Sequence, residues 1–217
     1  MNNFYEDNLE KAVIEIFEND LGYEYKSGLD IAPDGFDSSR EDFYEVILHT
    51  KLFDSLVKIN PTIPNDNIEE VYKQIIHPNS PMTLENNKTF HKYLTDGIDV
   101  VYKDEDGNDK GDKVYLFDFE DEKNNDFLVV NQFTIVEKDE RRPDLILFIN
   151  GLPIVVFELK SLSNENVGLE KAYNQLETYK NKIPSLFNTN AFLVISDGVN
   201  AKVGTISSNL GRFSAWK

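Results

Sequence analysis

The stretch from Arg142 to Lys160 constrains this chain more than any other. It reads Arg-Pro-Asp-Leu-Ile-Leu-Phe-Ile-Asn-Gly-Leu-Pro-Ile-Val-Val-Phe-Glu-Leu-Lys, two almost unbroken apolar runs joined at Asn150-Gly151. Short apolar runs bounded by turn residues form strands buried on both faces. Two strands are therefore expected, Leu145–Ile149 and Ile154–Lys160, deep in a sheet. Three charges, Asp144, Glu158 and Lys160, lie in this hairpin. A buried charge costs several kcal/mol unless it is paired or holds a metal. Glu158 and Lys160, two apart, share one face of their strand. The place of Asp144 depends on register. If Asn150-Gly151-Leu152 is a three-residue loop, Ile149 faces Pro153 and Asp144 lies opposite Glu158. If Asn150-Gly151 is a two-residue turn, Asp144 faces Phe157 and the set disperses. Local turn rules leave both open, because glycine at the middle of a three-residue loop is not its usual left-handed place. Burial economy favours the first register, which gathers all three charges on one face.

Around this hairpin the periodicity falls into two regimes. Before Gly97 apolar residues recur every three or four positions. Residues 5–20 read as an amphipathic helix with Leu9, Val13, Ile16 and Phe17 on its inner face. Residues 23–39 look like an ordered loop. A second helix runs from about Arg40 to Asn60-Pro61, a third over 66–76 and a short one near 83–94. After Gly97 the period becomes two: Ile98–Tyr102 and Lys113–Phe119 form a long hairpin, and 127–136 another strand. A helix over 167–181, a buried strand Ala191–Ser196 and a last strand Ala201–Ile206 complete the chain. The expected fold is α/β, a mixed β-sheet flanked by helices with a helical N-terminal extension. A mainly helical part, 1–95, packs on a core, 96–217.

Composition narrows the function. The 217 residues carry a net charge of −17, with 40% apolar and 12% aromatic residues and no cysteine. That is ample for a core, and it removes disulfides, thiolate catalysis and cysteine-bound zinc. No apolar run approaches the roughly 18–20 residues of a membrane span, and the acidic N-terminus lacks a signal-peptide pattern, so a cytoplasmic location is expected. The charge is uneven: Asp104–Asp126 holds ten acidic and three basic residues, Arg141–Lys182 six basic and five acidic. The acidic turn 104–112 fails the EF-hand register, with Lys110 and Phe117 at ligand positions, and reads as a solvated hairpin tip. His49, His77 and His91 are scattered. No phosphate loop and no serine elbow occurs.

Two carboxylates and an ammonium converging at Asp144, Glu158 and Lys160 suit a hard cation such as Mg²⁺. Such an ion polarises a phosphodiester and helps deprotonate an attacking water, while the lysine positions that water or stabilises charge on the phosphorane. The competing reading is a buried structural ion-pair cluster.

These residues also carry a family resemblance. Pro143-Asp144, thirteen residues, then Glu158-Leu159-Lys160 is the PD-(D/E)xK nuclease motif. Its flanks resemble the N-terminal endonuclease domain of the R (restriction, HsdR) subunit of type I restriction-modification enzymes. The flanks in question are Glu122–Thr134, Arg142–Pro153, Ala172–Lys180, Ile183–Phe187, Leu193–Gly198 and Arg212–Lys217. The resemblance covers nearly the whole chain, thinning over 23–39. It implies a restriction-endonuclease-like core and a Mg²⁺-dependent endonuclease that hydrolyses foreign, unmodified double-stranded DNA. The ATP-driven motor, absent here, would translocate the DNA, so ATP is needed only by the full-length subunit. The methyltransferase (M) and specificity (S) subunits are the implied partners, and no membrane is. By the same resemblance Asp144 and Glu158 hold the metal and Lys160 assists the nucleophile. Gln175 and Tyr179 match a Gln-x-x-x-Tyr motif, and their i, i+4 spacing puts both on one helix face, where helix–sheet packing is the rival role. Glu10 is a further acid for the metal, as in related nucleases, against the reading of a solvated carboxylate. Arg141 and Arg142 contact phosphate or balance nearby acids. A non-catalytic docking module and a stand-alone repair nuclease are the alternatives.

Overall fold

A computed structural model describes residues 2–160 and 167–216 of the chain. The elements run α1 (Asn2–Asn19), β1 (Glu24–Ser27), α2 (His49–Ile59), α3 (Asn65–Ile76), α4 (Thr83–Asp96), β2 (Ile98–Lys103), β3 (Asp109–Val114) and β4 (Phe127–Asn131). They continue with β5 (Ile135–Val136), β6 (Glu140–Arg141), β7 (Leu145–Ile149), β8 (Leu152–Leu159), α5 (Val167–Lys182), β9 (Phe192–Ser196), β10 (Ala201–Gly204) and β11 (Ser214–Ala215). Seven strands form the main sheet in the order β1-β4-β7-β8-β9-β10-β11, and β2-β3 and β5-β6 are separate pairs. The sheet is mixed: β1 is parallel to β4 and β8 to β9, the other neighbours antiparallel.

Every residue of β8 is buried, because helices cover both its faces. Phe157 meets Phe17 of α1 at 5.8 Å between ring centroids, while the next residue, Glu158, lies on the opposite face beside Tyr179 of α5. The parallel pair β8-β9 needs a crossover connection, which α5 supplies. On α1, Leu9, Val13 and Phe17 pack on the core and Ile14 is buried, whereas Ile16 is half exposed.

The N-terminal part is more than a helical flank. Residues 24–27, expected to be loop, form β1 at the sheet edge beside β4, so the sheet draws on both sides of the 95/96 boundary. Residues 40–48 are not helical. Tyr44 N–H donates to Asp42 Oδ1 and Glu41 N–H to Glu45 Oε2, local bonds that compete with a helical ladder. The Arg40 guanidinium, stacked on Phe133, donates to the carbonyls of Glu45 and Thr134. The strand expected over 127–136 ends at Asn131, because Gln132 is left-handed (φ 50°). The 113–119 strand ends at Val114, the 201–206 strand at Gly204, and β11 was not foreseen.

The hairpin register corrects one expectation and keeps its consequence. Ile149 pairs with Leu152 and Phe148 with Pro153, so Asn150-Gly151 is a two-residue turn, not the favoured three-residue loop. Both residues have positive φ, 53° and 77°, as a type I′ turn requires. A bulge then intervenes: Leu147 pairs with Val155, leaving Ile154 as an extra residue on β8. Pro153 has no N–H to give the ladder and so favours a bulge beside it. The Ile154 carbonyl turns instead to Ala191 N–H at 2.8 Å and to Asn190 Nδ2 at 3.1 Å. One residue inserted after a tight turn restores the pairing of Leu145 with Phe157, and by continuation that of Asp144 with Glu158.

Candidate active site

Strand direction collects the chemistry at one end of the sheet. The C-terminal ends of β1, β4, β8 and β9 and the N-terminal end of β7 lie there together. Asp144 precedes β7, Glu158 sits near the end of β8, and Lys160 follows β8, its N–H bonded to the Ser196 carbonyl at 2.9 Å. Asp144 Oδ2 accepts from the Leu159 N–H at 2.7 Å. Lys160 Nζ donates to Glu158 Oε1 at 2.7 Å and to the Leu159 carbonyl at 3.0 Å. Glu158 is 2% exposed, and its second oxygen, Oε2, has no hydrogen-bond partner among the described residues.

The electrostatics follow from this burial. Desolvation is the main cause that pushes the Asp144 carboxyl up to about 6, against the Leu159 N–H and Lys160; the charges of Glu10 and Glu6 add to the rise. Glu158 is pushed up to about 7, first by burial and then by Asp144, with Lys160 opposing. Burial pulls Lys160 down, but Glu158 and Asp144 outweigh it, so its ammonium is held above the ordinary lysine value. The site thus holds two carboxyls that resist ionising and one firmly charged cation.

Tyr179 of α5 reaches this cluster, and Gln175 reaches Tyr179. The Tyr179 hydroxyl lies beside Glu158 and Gln175, and burial, then the charge of Glu158, raises its pKa far above the ordinary phenol value. The hydroxyl also lies 3.4 Å from the Arg142 carbonyl oxygen. Arg142 thus lends its backbone to the site while its side chain is exposed. Arg141 is not drawn in: it lies in β6, paired with Asp139 at 2.7 Å. Glu10 is not simply a solvated carboxylate. It accepts from Asn131 Nδ2 at 2.7 Å and from Gln132 Nε2 at 2.6 Å. Sequence reasoning did not assign a role to Asn131 and Gln132. The signal was there, an amide pair interrupting the apolar run Phe127–Val136.

The donor set fits a hard divalent cation. A buried carboxylate oxygen without a partner, opposite a second carboxylate, is what such an ion satisfies, and the Lys160 ammonium already occupies one cationic position between Glu158 Oε1 and the Leu159 carbonyl. Among the described residues no three His, Cys, Asp or Glu side chains are placed to cage an ion on their own. An ion here would take Asp144 and Glu158 and keep several of its waters, as Mg²⁺ does.

Comparison with known proteins gives a consistent result. The family model described as "Type I restriction enzyme R protein N terminus" matches residues 3–212. The chain is 38% identical over 214 residues to the "Type I restriction enzyme HindI endonuclease subunit" of Haemophilus influenzae, covering 98% of this chain and 20% of that protein. It is 36% identical over 213 residues to the "Putative type I restriction enzyme MjaIXP endonuclease subunit" of Methanocaldococcus jannaschii, covering 96% and 20%. A shorter match, 35% over 98 residues, is to the "Type I restriction enzyme SauMSSORF170P endonuclease subunit" of Staphylococcus aureus, covering 43% and 10%. The chain therefore spans about a fifth of the length of the first two relatives.

Proposed function

The chain belongs to the type I restriction enzyme R protein N-terminus family, and from that premise we propose that it is a Mg²⁺-dependent endonuclease domain hydrolysing DNA phosphodiester bonds. The observation that carries this is the convergence of Asp144, Glu158 and Lys160, with a buried, unpartnered Glu158 oxygen facing the site. Relatives named as type I endonuclease subunits support it. In the same reading, cutting after ATP-driven translocation, in a complex with methyltransferase and specificity subunits, would belong to a longer polypeptide, since the chain matches about a fifth of each of those relatives.

In this reading Asp144 and Glu158 hold Mg²⁺, which when bound supplies polarisation of the scissile phosphate and acidification of a water. The residues of the chain do the rest. Lys160 keeps its ammonium charged next to the reacting phosphate, where it holds the attacking water and stabilises the negative charge that develops on the phosphorane. Tyr179 remains a neutral phenol at neutral pH and orients Glu158, while Gln175 offers an amide to the phosphate or to Tyr179. Arg142, exposed beside the site, takes a backbone phosphate.

The test is Lys160→Ala and Asp144→Asn in an assembled type I complex carrying this chain. DNA cleavage is expected to fall by at least ~10²-fold, the scale of losing one charge-stabilising group, with ATP hydrolysis intact. Full restriction by both variants would overturn the nuclease reading and leave a docking module.

A further inference from the structure

Glu10 is held too deliberately for a surface carboxylate. Each of its oxygens receives an amide, from Asn131 at 2.7 Å and from Gln132 at 2.6 Å. Each amide is itself fixed. The Asn131 Oδ1 accepts the Tyr25 hydroxyl at 3.1 Å, which leaves Nδ2 for Glu10. Gln132 is left-handed (φ 50°), and its N–H donates to the Asp144 carbonyl at 3.0 Å. A left-handed non-glycine backbone persists only where its surroundings over-determine it, and such strain gathers at functional sites. Behind the pair, Gly28 presses so close that a Cβ there would lie 2.5 Å from the Asn131 carbonyl oxygen and 2.6 Å from that of Gln132. One residue, Gln132, therefore ties Glu10 by its side chain and Asp144 by its backbone.

We propose that Asn131 and Gln132 are positioning residues that fix Glu10 at the rim of the Asp144–Glu158 site, where its carboxylate accepts hydrogen bonds from the waters of the bound divalent cation. The inference rests on the metal-dependent reading above and deepens it. The charge of Glu10 bears on Asp144, as does that of Glu6 one helical turn earlier. No three His, Cys, Asp or Glu side chains are grouped to hold an ion among the described residues, which is why the proposed contact of Glu10 is through water. Outer partners of this kind orient a metal's environment and carry part of its affinity.

Mn²⁺ binding to the 217-residue chain, followed by electron paramagnetic resonance, tests this. Asp144→Asn should abolish binding. Asn131→Ala and Gln132→Gly should each weaken it by about tenfold. Gln132→Gly removes the amide while relieving the left-handed strain, so its thermal midpoint should not drop below wild type. Glu10→Gln should weaken binding equally, and Glu10→Gln with Gln132→Gly should weaken it no further, since the two act as one unit. In the assembled complex the same variants should lower kcat and leave the KM for DNA unchanged. Wild-type Mn²⁺ affinity in Gln132→Gly and Asn131→Ala, with binding lost in Asp144→Asn, would overturn the positioning role and leave the nuclease reading standing. No uptake by the wild-type chain would overturn both.

Discussion

The Glu158 carboxyl is 2% exposed, and the Lys160 ammonium partners Oε1 while Oε2 has no hydrogen-bond partner among the described residues, so its burial opposes its charge. The consequence is a definite pH dependence. In the unfolded chain Asp144 and Glu158 titrate near the ordinary values of roughly 4, whereas in the folded chain they are pushed up to about 6 and about 7. Between those limits the folded state binds more protons than the unfolded state, so stability is full below about pH 4 and falls as pH rises through about 7. Urea midpoints of the metal-free chain should therefore drop between pH 5 and pH 8, by on the order of 3 kcal/mol for the pair at ~1.4 kcal/mol per pKa unit. Glu158→Gln should flatten this decline and stand above wild type at pH 8. Adding Mg²⁺ at pH 8 should raise wild type and leave Glu158→Gln nearly unmoved. A wild-type profile that is flat or rising over this range would mean that the two carboxyls are not desolvated as described.

At the scale of elements, the β7–β8 hairpin shows what a single chain discloses and what it withholds. Its strands, its buried charges and the shared face of Glu158 and Lys160 are periodicity made visible, and periodicity is local. The register is not, because it combines a type I′ turn with a bulge at Ile154, two irregularities of opposite effect on the pairing. Asn150-Gly151 left both loop lengths open and burial economy favoured the longer, wrong one; the bulge depends on Ala191 and Asn190, some 36 residues away, donating to the Ile154 carbonyl. The same holds for β1, whose strand character exists only against β4, and for Val46, Ile47 and Leu48, buried in irregular chain rather than a helix. Glu10 was placed on α1 correctly, but its two amide partners lie 121 and 122 residues away. The turn also anchors α2: the Gly151 carbonyl accepts from Leu48 N–H at 2.9 Å, and a Cβ at Gly151 would lie 2.5 Å from the Leu48 carbonyl oxygen and 2.7 Å from the Leu52 nitrogen. Gly151→Ala thus adds left-handed strain, φ 77°, to a clash with backbone that cannot swing aside. A loss of about 2–4 kcal/mol is expected, read as a lower urea midpoint with unchanged slope. A loss below ~1 kcal/mol would show that α2 is free to retreat from the turn.

For the whole molecule the question is how, on the proposed reading, so acidic a chain would meet DNA. At −17 the chain repels a polyanion at long range, and several of its lysines are already paired: Lys26, Lys51, Lys73, Lys103, Lys110, Lys113, Lys160 and Lys180 bridge to Asp or Glu. Arg141 is paired with Asp139 as well, so Arg142 is the exposed arginine next to Asp144. Affinity for duplex DNA falls with salt at a logarithmic slope of about −0.9 per phosphate neutralised. If Arg141 and Arg142 are the phosphate contacts, random duplex should bind this chain with a slope near −2, and more weakly than about 10⁻⁶ M at physiological salt, the tight end of ordinary non-specific binding. Arg142→Ala should lower the slope by about one, and Arg141→Ala by less, because breaking its pair with Asp139 offsets part of the contact. On the proposed reading concentration would replace affinity: DNA held by the rest of a longer polypeptide would reach the site without a basic groove, and the acidic surface would suppress cutting of DNA met by chance. Fluorescence anisotropy with a labelled random duplex over a salt series measures both quantities. Sub-micromolar binding at physiological salt, or a slope steeper than about −5, would reveal a phosphate-binding surface beyond Arg141 and Arg142 and would sink this account of the charge.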